Sequence, residues 1–191
     1  ADAVVLATGS RPAELPFPVD DGARVVTALT ILGGNGNGNG EGDGGGLSDG
    51  AVAVWDPIGG PIGVAVAELL ARERQVVFIT HDLIVGQQLS RSGDLAPANV
   101  RLHQAGVELI KRSRVRKLAA RAVELEDVMS ARAWTVEAAG LVDCGHRLPE
   151  DRLWHATGEH FSRAGDAIAP RTAYEAVLEG RRAALALEGL S

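Results

Sequence analysis

Apolar residues in this chain fall into short unbroken runs separated by one helical rhythm. Residues 51–55 (AVAVW) and 75–80 (QVVFIT) are near-continuous apolar stretches of strand length, the pattern of strands buried on both faces of a parallel sheet. Between them, residues 62–71 repeat apolar positions at helical spacing, with Glu68 as the single charge. Strand, helix and strand together predict one right-handed βαβ unit. A helix-like segment at 99–105 leads to a third parallel strand at 106–110. Residues 115–118, 122–125 and 133–138 predict a meander of short strands crossing the sheet, and 141–143 returns to the core. Towards the front, residues 3–7 read as a buried-type strand and 25–32 as a strand running into a short helix. Towards the end, 161–164 reads as a brief strand and 171–187 as an amphipathic helix with Ala173, Val177, Ala184 and Leu187 on its apolar face.

Composition narrows the possibilities. With 191 residues, 46% of them apolar, the chain is long enough to bury a core of one domain or two small ones. The net charge is −6, and Lys111, Arg112, Arg114, Arg116 and Lys117 form one short basic run, which argues against nucleic acid and for a solvated strand face or loop. No apolar stretch reaches membrane-spanning length, and the first residues lack a basic leader and cleavage pattern. Cys144 is the lone cysteine, so an internal disulfide and a cysteine-ligated zinc or iron–sulfur cluster within this chain are excluded; a cytoplasmic protein is expected. Beside His146 it invites a thiol-nucleophile reading, but no third orienting group accompanies the pair, and a structural thiol is favoured. His146, His155 and His160 have no partner spacing that singles them out for acid–base chemistry. The glycine-rich tract at 33–46 reads as a flexible loop, since a phosphate cradle needs its glycines fixed between a strand and a helix.

Candidate chemistry concentrates at the turn after the first apolar run. Gly59, Gly60 and Gly63 allow a sharp turn, a close approach of backbone to a pyrophosphate and tight helix–strand packing, with the helix N-terminus facing the phosphates. The fingerprint G-x-G-x-x-G asks for glycine at 58, where this chain has Ile58, and Asp56-Pro57 lengthens the turn. Asp82, just past the second strand, is placed either to accept hydrogen bonds from the ribose hydroxyls of NAD or as a turn residue. Gly165-Asp166 ends a strand and feeds a helix N-terminus, a second position for a nucleotide phosphate or flavin.

Taken in order, VVLATGSRP, VAVWDPIGGPIGVAVAELLA, AGVELI, VDCGHRLP and GDAIAPRTAYEAVLEGRRAA resemble, over essentially the whole chain, the C-terminal half of flavoenzymes related to trimethylamine dehydrogenase, histamine dehydrogenase and 2,4-dienoyl-CoA reductase. The resemblance implies an α/β architecture in which a Rossmann-like three-layer NAD(P)-type domain, residues 48–143, is inserted into an incomplete FAD-type domain, residues 1–47 and 144–191. It implies cofactor-binding roles for Thr8 and Gly9 at the handover between the domains, for Gly59, Gly60 and Gly63 at the insert's phosphate turn, and for Gly165 and Asp166 against the ribityl and pyrophosphate region of FAD. It further implies FAD or ADP here, NAD(P)H in the insert, and a partner N-terminal barrel carrying FMN and an iron–sulfur cluster, with any homo-oligomer formed through that parent.

Two readings of function follow, with no catalytic residue expected in either. In one, the chain positions FAD or ADP and NAD(P)H within a multidomain flavin-dependent oxidoreductase. In the other it is a structural or ADP-binding scaffold that has lost NAD(P) binding, towards which Ile58 points. A third, an unrelated sugar- or coenzyme-binding Rossmann protein using Asp56 and His81, leaves Gly165-Asp166 and the start of the chain inside an apolar strand unexplained. That start is expected of a portion of a longer protein.

Overall fold

The computed structural model describes residues 3–33 and 46–188. They form two compact units, one of residues 1–14 and 146–191 and the other of residues 15–145. The glycine-rich tract expected to be flexible lies almost wholly outside the described residues.

The larger unit is organised by a five-stranded parallel sheet. Its strands, with those of the smaller unit counted in chain order, are β3 (Val25–Thr27), β4 (Val52–Trp55), β5 (Val76–Ile79), β6 (Glu108–Ile110) and β10 (Leu141–Asp143), in the order β3-β10-β4-β5-β6. Every residue of β4 and β5 is buried. Their side chains alternate between two cores: Val52, Val54, Val76 and Phe78 join one, and Ala53, Trp55, Val77 and Ile79 the other. A strand buried on both faces needs a cover on each. On one side that cover is helical: α1 (Ala28–Leu32), α2 (Pro61–Leu70) and α3 (Leu95–Gln104) contribute Ile31, Val64, Val66, Ala67, Leu70, Ala98 and Leu102. On the other side lies a second sheet of three antiparallel strands, β7 (Ser113–Ala119), β8 (Ala122–Asp127) and β9 (Ala133–Glu137), contributing Val115, Leu118, Val123 and Leu125. The expected meander is therefore a layer of its own, and the unit is a three-layer α/β domain.

Two local features show how this sequence makes that layer. Val115 and Leu118 are three residues apart, so strict alternation would send them to opposite faces. A break in register between Val115 and Lys117 brings both inward, the work of a β-bulge. The basic run occupies the other face, where Arg114 and Arg116 pair with Glu126 and Lys117 Nζ meets Asp20 Oδ2 at 2.9 Å. Arg112, Arg114, Arg116 and Lys117 are thus answered by the chain's own carboxylates, as a solvated strand face requires.

β3 had been assigned by the resemblance to the flanking FAD-type segment 1–47. It is an edge strand of the larger unit's sheet, paired in register with β10, and the division between units falls after Glu14. Val25 and Val26 carry no mark of which sheet they will join, because pairing with Leu141 and Val142 is set by contacts more than a hundred residues apart.

The smaller unit is built from short pieces. β1 (Val5–Leu6) runs parallel to β12 (Ser162–Arg163), and β2 (Ser10–Pro12) antiparallel to β11 (Arg147–Pro149). The helix α4 (Arg152–Ala156) precedes β12, a 3-10 turn spans Gly165–Ala167, and α5 (Ala173–Glu188) closes the chain. Thr172 N donates to Glu175 Oε2 at 3.2 Å, the return half of a capping box that starts α5 beyond Pro170. Of the apolar face expected for α5, Ala173, Val177 and Ala184 are exposed, Val177 to 74%, and Leu187 is half-buried. The helix turns Ala183 inward, and a Cβ added at Gly165 would meet Ala176 Cβ at an ordinary 3.6 Å. Among the described residues no helix is long and apolar enough to cross a membrane.

Removing the Phe78 side chain is expected to lower unfolding free energy by about 3–5 kcal/mol in denaturant titrations, since the ring is fully buried between layers. By contrast Gly180→Ala, in an α5 position where an added Cβ meets nothing within 4 Å, is expected to raise it by about 0.5–1 kcal/mol.

Candidate nucleotide-binding sites

The glycine-rich turn of the larger unit links β4 to α2. Pro61 takes the first helical position, where a missing N–H costs nothing, and Gly60 before it is extended. Asp56 follows β4 directly and is 1% exposed. Its Oδ1 accepts the backbone N–H groups of Ile58 and Gly59, both at 2.9 Å, while its Oδ2 is buried with no hydrogen-bond partner among the described residues. The carbonyls of the same two residues are also taken: Gln88 Nε2 donates to Ile58 O and Gln88 N to Gly59 O, each at 2.9 Å. The amides and carbonyls of Ile58 and Gly59 are thus all engaged by the protein itself.

Its glycines are not equivalent. Gly59 has φ +72°, and a Cβ there would overlap the Asp82 carboxylate. At Gly63 a Cβ would stand 2.5 Å from Asp56 Oδ2 and 2.7 Å from Asp56 Cγ. At Gly60 it would meet only Ile58 Cγ2, at an ordinary 3.7 Å. Two of the three glycines are therefore required by the protein's own carboxylates. Asp82, read as either a ribose acceptor or a turn residue, lies against Gly59; its N–H reaches Thr80 Oγ1 at 3.2 Å and its Oδ1 stands 3.5 Å from His81 Nε2.

Burial pushes the Asp56 carboxyl up to about 6 from the ordinary 3.8; the Gly59 and Ile58 amides oppose this, Asp82 adds to it and His81 opposes it. Cys144, at the end of β10, sits in the core with Val54 and Val142. Burial, with Asp56 and Asp143 nearby, drives its thiol well above the usual range, which removes the thiolate a nucleophile needs.

Whether an NAD(P) pyrophosphate suits this turn is decided by charge and by free amides. A pyrophosphate wants backbone N–H groups and the positive end of a helix. Here the Ile58 and Gly59 amides already serve Asp56, Pro61 has none, and two carboxylates line the turn. The residues do not fit the group.

In the smaller unit the expected residues do converge. Thr8 Oγ1 donates to Glu150 O, and Glu150 N donates to Gly9 O at 2.9 Å. Gly9 has φ +79°, and a Cβ there would meet nothing within 4 Å. Ser10 Oγ donates to Asp166 Oδ2 at 2.7 Å; Arg147 Nε donates to the same hydroxyl at 2.9 Å, and its terminal nitrogen to Ser10 O. Gly165, at φ +68°, brings Asp166 to this point. Among the described residues its Oδ1 accepts only the Arg171 amide, at 3.5 Å, leaving acceptor capacity for a ligand hydroxyl. Ser10 and Arg147 were absent from the expected site because they lie 137 residues apart and meet only across the β2–β11 pair. Thr8 and Gly9 are thus tied to Glu150, and Ser10 ties the same segment to Asp166.

The same architecture is found in solved flavoenzymes. Histamine dehydrogenase from Rhizobium sp. 4-9 matches 94% of this chain with a TM-score of 0.83 at 24% identity. The chain shares that fold. It spans 30% of the histamine dehydrogenase chain, and 28% of a 6-hydroxypseudooxynicotine amine oxidase from Pseudomonas geniculata N1, which matches 96% of it at TM-score 0.82 and 22% identity. Thioredoxin reductase of T. acidophilum covers the whole chain with 67% of its own length, at TM-score 0.71 and 16% identity. No protein-family model and no curated protein sequence matches the chain. The Rossmann-like α/β class expected from the sequence is the class observed. Among the described residues no group of three or more His, Cys, Asp or Glu is placed to hold a metal ion.

Because the folded-state value of Asp56 lies above 3.8, the folded protein binds its proton more tightly than the unfolded chain. The resulting stabilisation is complete below the unfolded value and lost as pH rises through about 6. The melting temperature of the native protein relative to Asp56→Asn should therefore fall between about pH 4 and about pH 6, a difference that separates Asp56 from carboxyls held low, such as Asp127, whose contributions run the other way.

Proposed function

We propose that this chain is a nucleotide-binding portion of a larger flavin-dependent oxidoreductase, and that the smaller unit holds FAD or ADP. The observation supporting this is the Arg147–Ser10–Asp166 chain of hydrogen bonds, which aims a half-buried carboxylate beside two glycines in left-handed conformation. Asp166 accepts hydrogen bonds from sugar or ribityl hydroxyls, Ser10 and Arg147 fix its orientation, and Gly9 lets the ligand approach the backbone. Flavin, when bound, supplies the hydride or electron chemistry; the protein residues bind and orient. The remaining machinery belongs to a partner, an N-terminal FMN-binding barrel with an iron–sulfur cluster, in a cytoplasmic protein whose homo-oligomers form through that parent.

A second reading gives the chain a scaffold role, holding ADP or no nucleotide, with NAD(P) binding lost from the larger unit. The Asp56-filled turn favours it for that unit.

Calorimetric titration with ADP and with FAD tests the first reading. Binding of either, weakened by about tenfold or more in Asp166→Ala, is the expected result, since a carboxylate–hydroxyl hydrogen bond contributes about 1.5–3 kcal/mol. If neither nucleotide binds, or if Asp166→Ala changes nothing, the smaller unit is not a nucleotide site.

A further inference from the structure

We propose that the Asp56 carboxylate is the built-in anion of the glycine-rich turn, standing in electrostatically for a dinucleotide pyrophosphate, so that removing this one negative charge opens the larger unit to NAD(P). The proposal rests on the reading in which that unit has lost NAD(P) binding and supplies its cause. It draws on geometry in the larger unit alone and is independent of the Asp166 site.

An anion at a helix N-terminus is stabilised by the helix dipole and by free amides. Asp56 meets both conditions from inside the fold. Its Oδ1 takes the Ile58 and Gly59 amides at 2.9 Å. Its Oδ2 lies against Gly63 in the first turn of α2, close enough that any side chain at 63 would displace it. That oxygen has no other partner among the described residues, and the side chain is almost wholly buried, so its charge is directed into the turn and α2 instead of into water. Gln88 occupies the Ile58 and Gly59 carbonyls, which locks the turn in the conformation that holds Asp56. A pyrophosphate arriving at this turn would find a like charge a few ångströms away in a poorly solvated setting, a repulsion that weakens binding by about a hundredfold.

The substitution that isolates the charge is Asp56→Asn, since the amide oxygen of asparagine still accepts the two backbone N–H groups. NAD+ is the probe, because its two phosphates keep their charge across the pH range used. Titrations are made on the full chain carrying Asp166→Ala, so that an adenine nucleotide held by the smaller unit does not obscure the result. At about pH 7.5 the Asp56 protein is expected to give no measurable heat, and the Asp56→Asn protein to bind at least about tenfold more tightly. NAD+ binding by the Asp56 protein at that pH would sink the loss reading and the proposal together. Silence in both proteins, with the variant shown to be folded by its cooperative unfolding, overturns the proposal alone.

A second measurement leaves Asp56 in place. Acidification to about pH 5 protonates Asp56, so NAD+ affinity should rise in the protein that carries Asp166→Ala and keeps Asp56. The ionisable groups coupled to Asp56 are Asp82 and His81 from the segment after β5 and Cys144, the residue that follows β10, on which Asp143 also acts. The thiol stays neutral over this range, and His81, whose Nε2 lies 3.5 Å from Asp82 Oδ1, is the neighbouring cation-forming side chain to remove as a control. The rise is therefore expected to persist in His81→Gln. A rise that disappears in His81→Gln, or no rise at all, assigns the effect elsewhere and overturns the proposal.

Discussion

Burial of β4 and β5 on both faces is the constraint from which the larger unit follows. Four consecutive apolar residues in each strand cannot be shielded by one layer, because alternate side chains leave the sheet in opposite directions. Val54 and Phe78 need helices; Trp55 and Ile79 need something on the reverse side, and the three-stranded β7–β9 sheet provides it. Even the register break in β7 answers to this demand, since it delivers both Val115 and Leu118 to the second core.

The same constraint gathers the strand ends. In a parallel sheet the carboxyl ends of neighbouring strands open on one edge, where ligands of such folds bind. Here that edge carries Asp56 after β4, Asp82 shortly after β5, and Asp143 closing β10. The architecture is Rossmann-like, while the charge at its turn is negative and held by the protein's own amides. Fold and electrostatics have separated: helices and sheets are maintained by apolar burial, which is indifferent to whether the turn receives a phosphate or a side-chain carboxylate. The smaller unit shows the opposite balance. Arg147 lies two bonds of a hydrogen-bonded relay from Asp166, so the carboxylate there is oriented and partly compensated without being sealed away.

The residue pattern made much of this legible. Unbroken apolar runs marked β4 and β5, the 3.6-residue rhythm marked α2, and Gly59, Gly60 and Gly63 marked the turn, because each of these signals arises within a few neighbours along the chain. The membership of β3, the inward face of α5 and the Ser10–Arg147–Asp166 relay were not legible. Val25 and Val26 fit any sheet, and Ala183 looks less apolar than Val177, although Ala183 is the buried residue and Val177 the exposed one.

Local sequence thus determined which segments would be strands and helices and where a tight turn had to fall, since propensity and periodicity are properties of contiguous residues. Tertiary structure alone decided what the turn does. Asp56 looks in sequence like an extra residue lengthening a glycine loop. Only when β4, α2 and the end of β5 pack together does its carboxylate become buried, bound to the amides a phosphate would use, and opposed by Asp82. Burial and the meeting of distant charges are properties of the packed chain, and no window of sequence contains them.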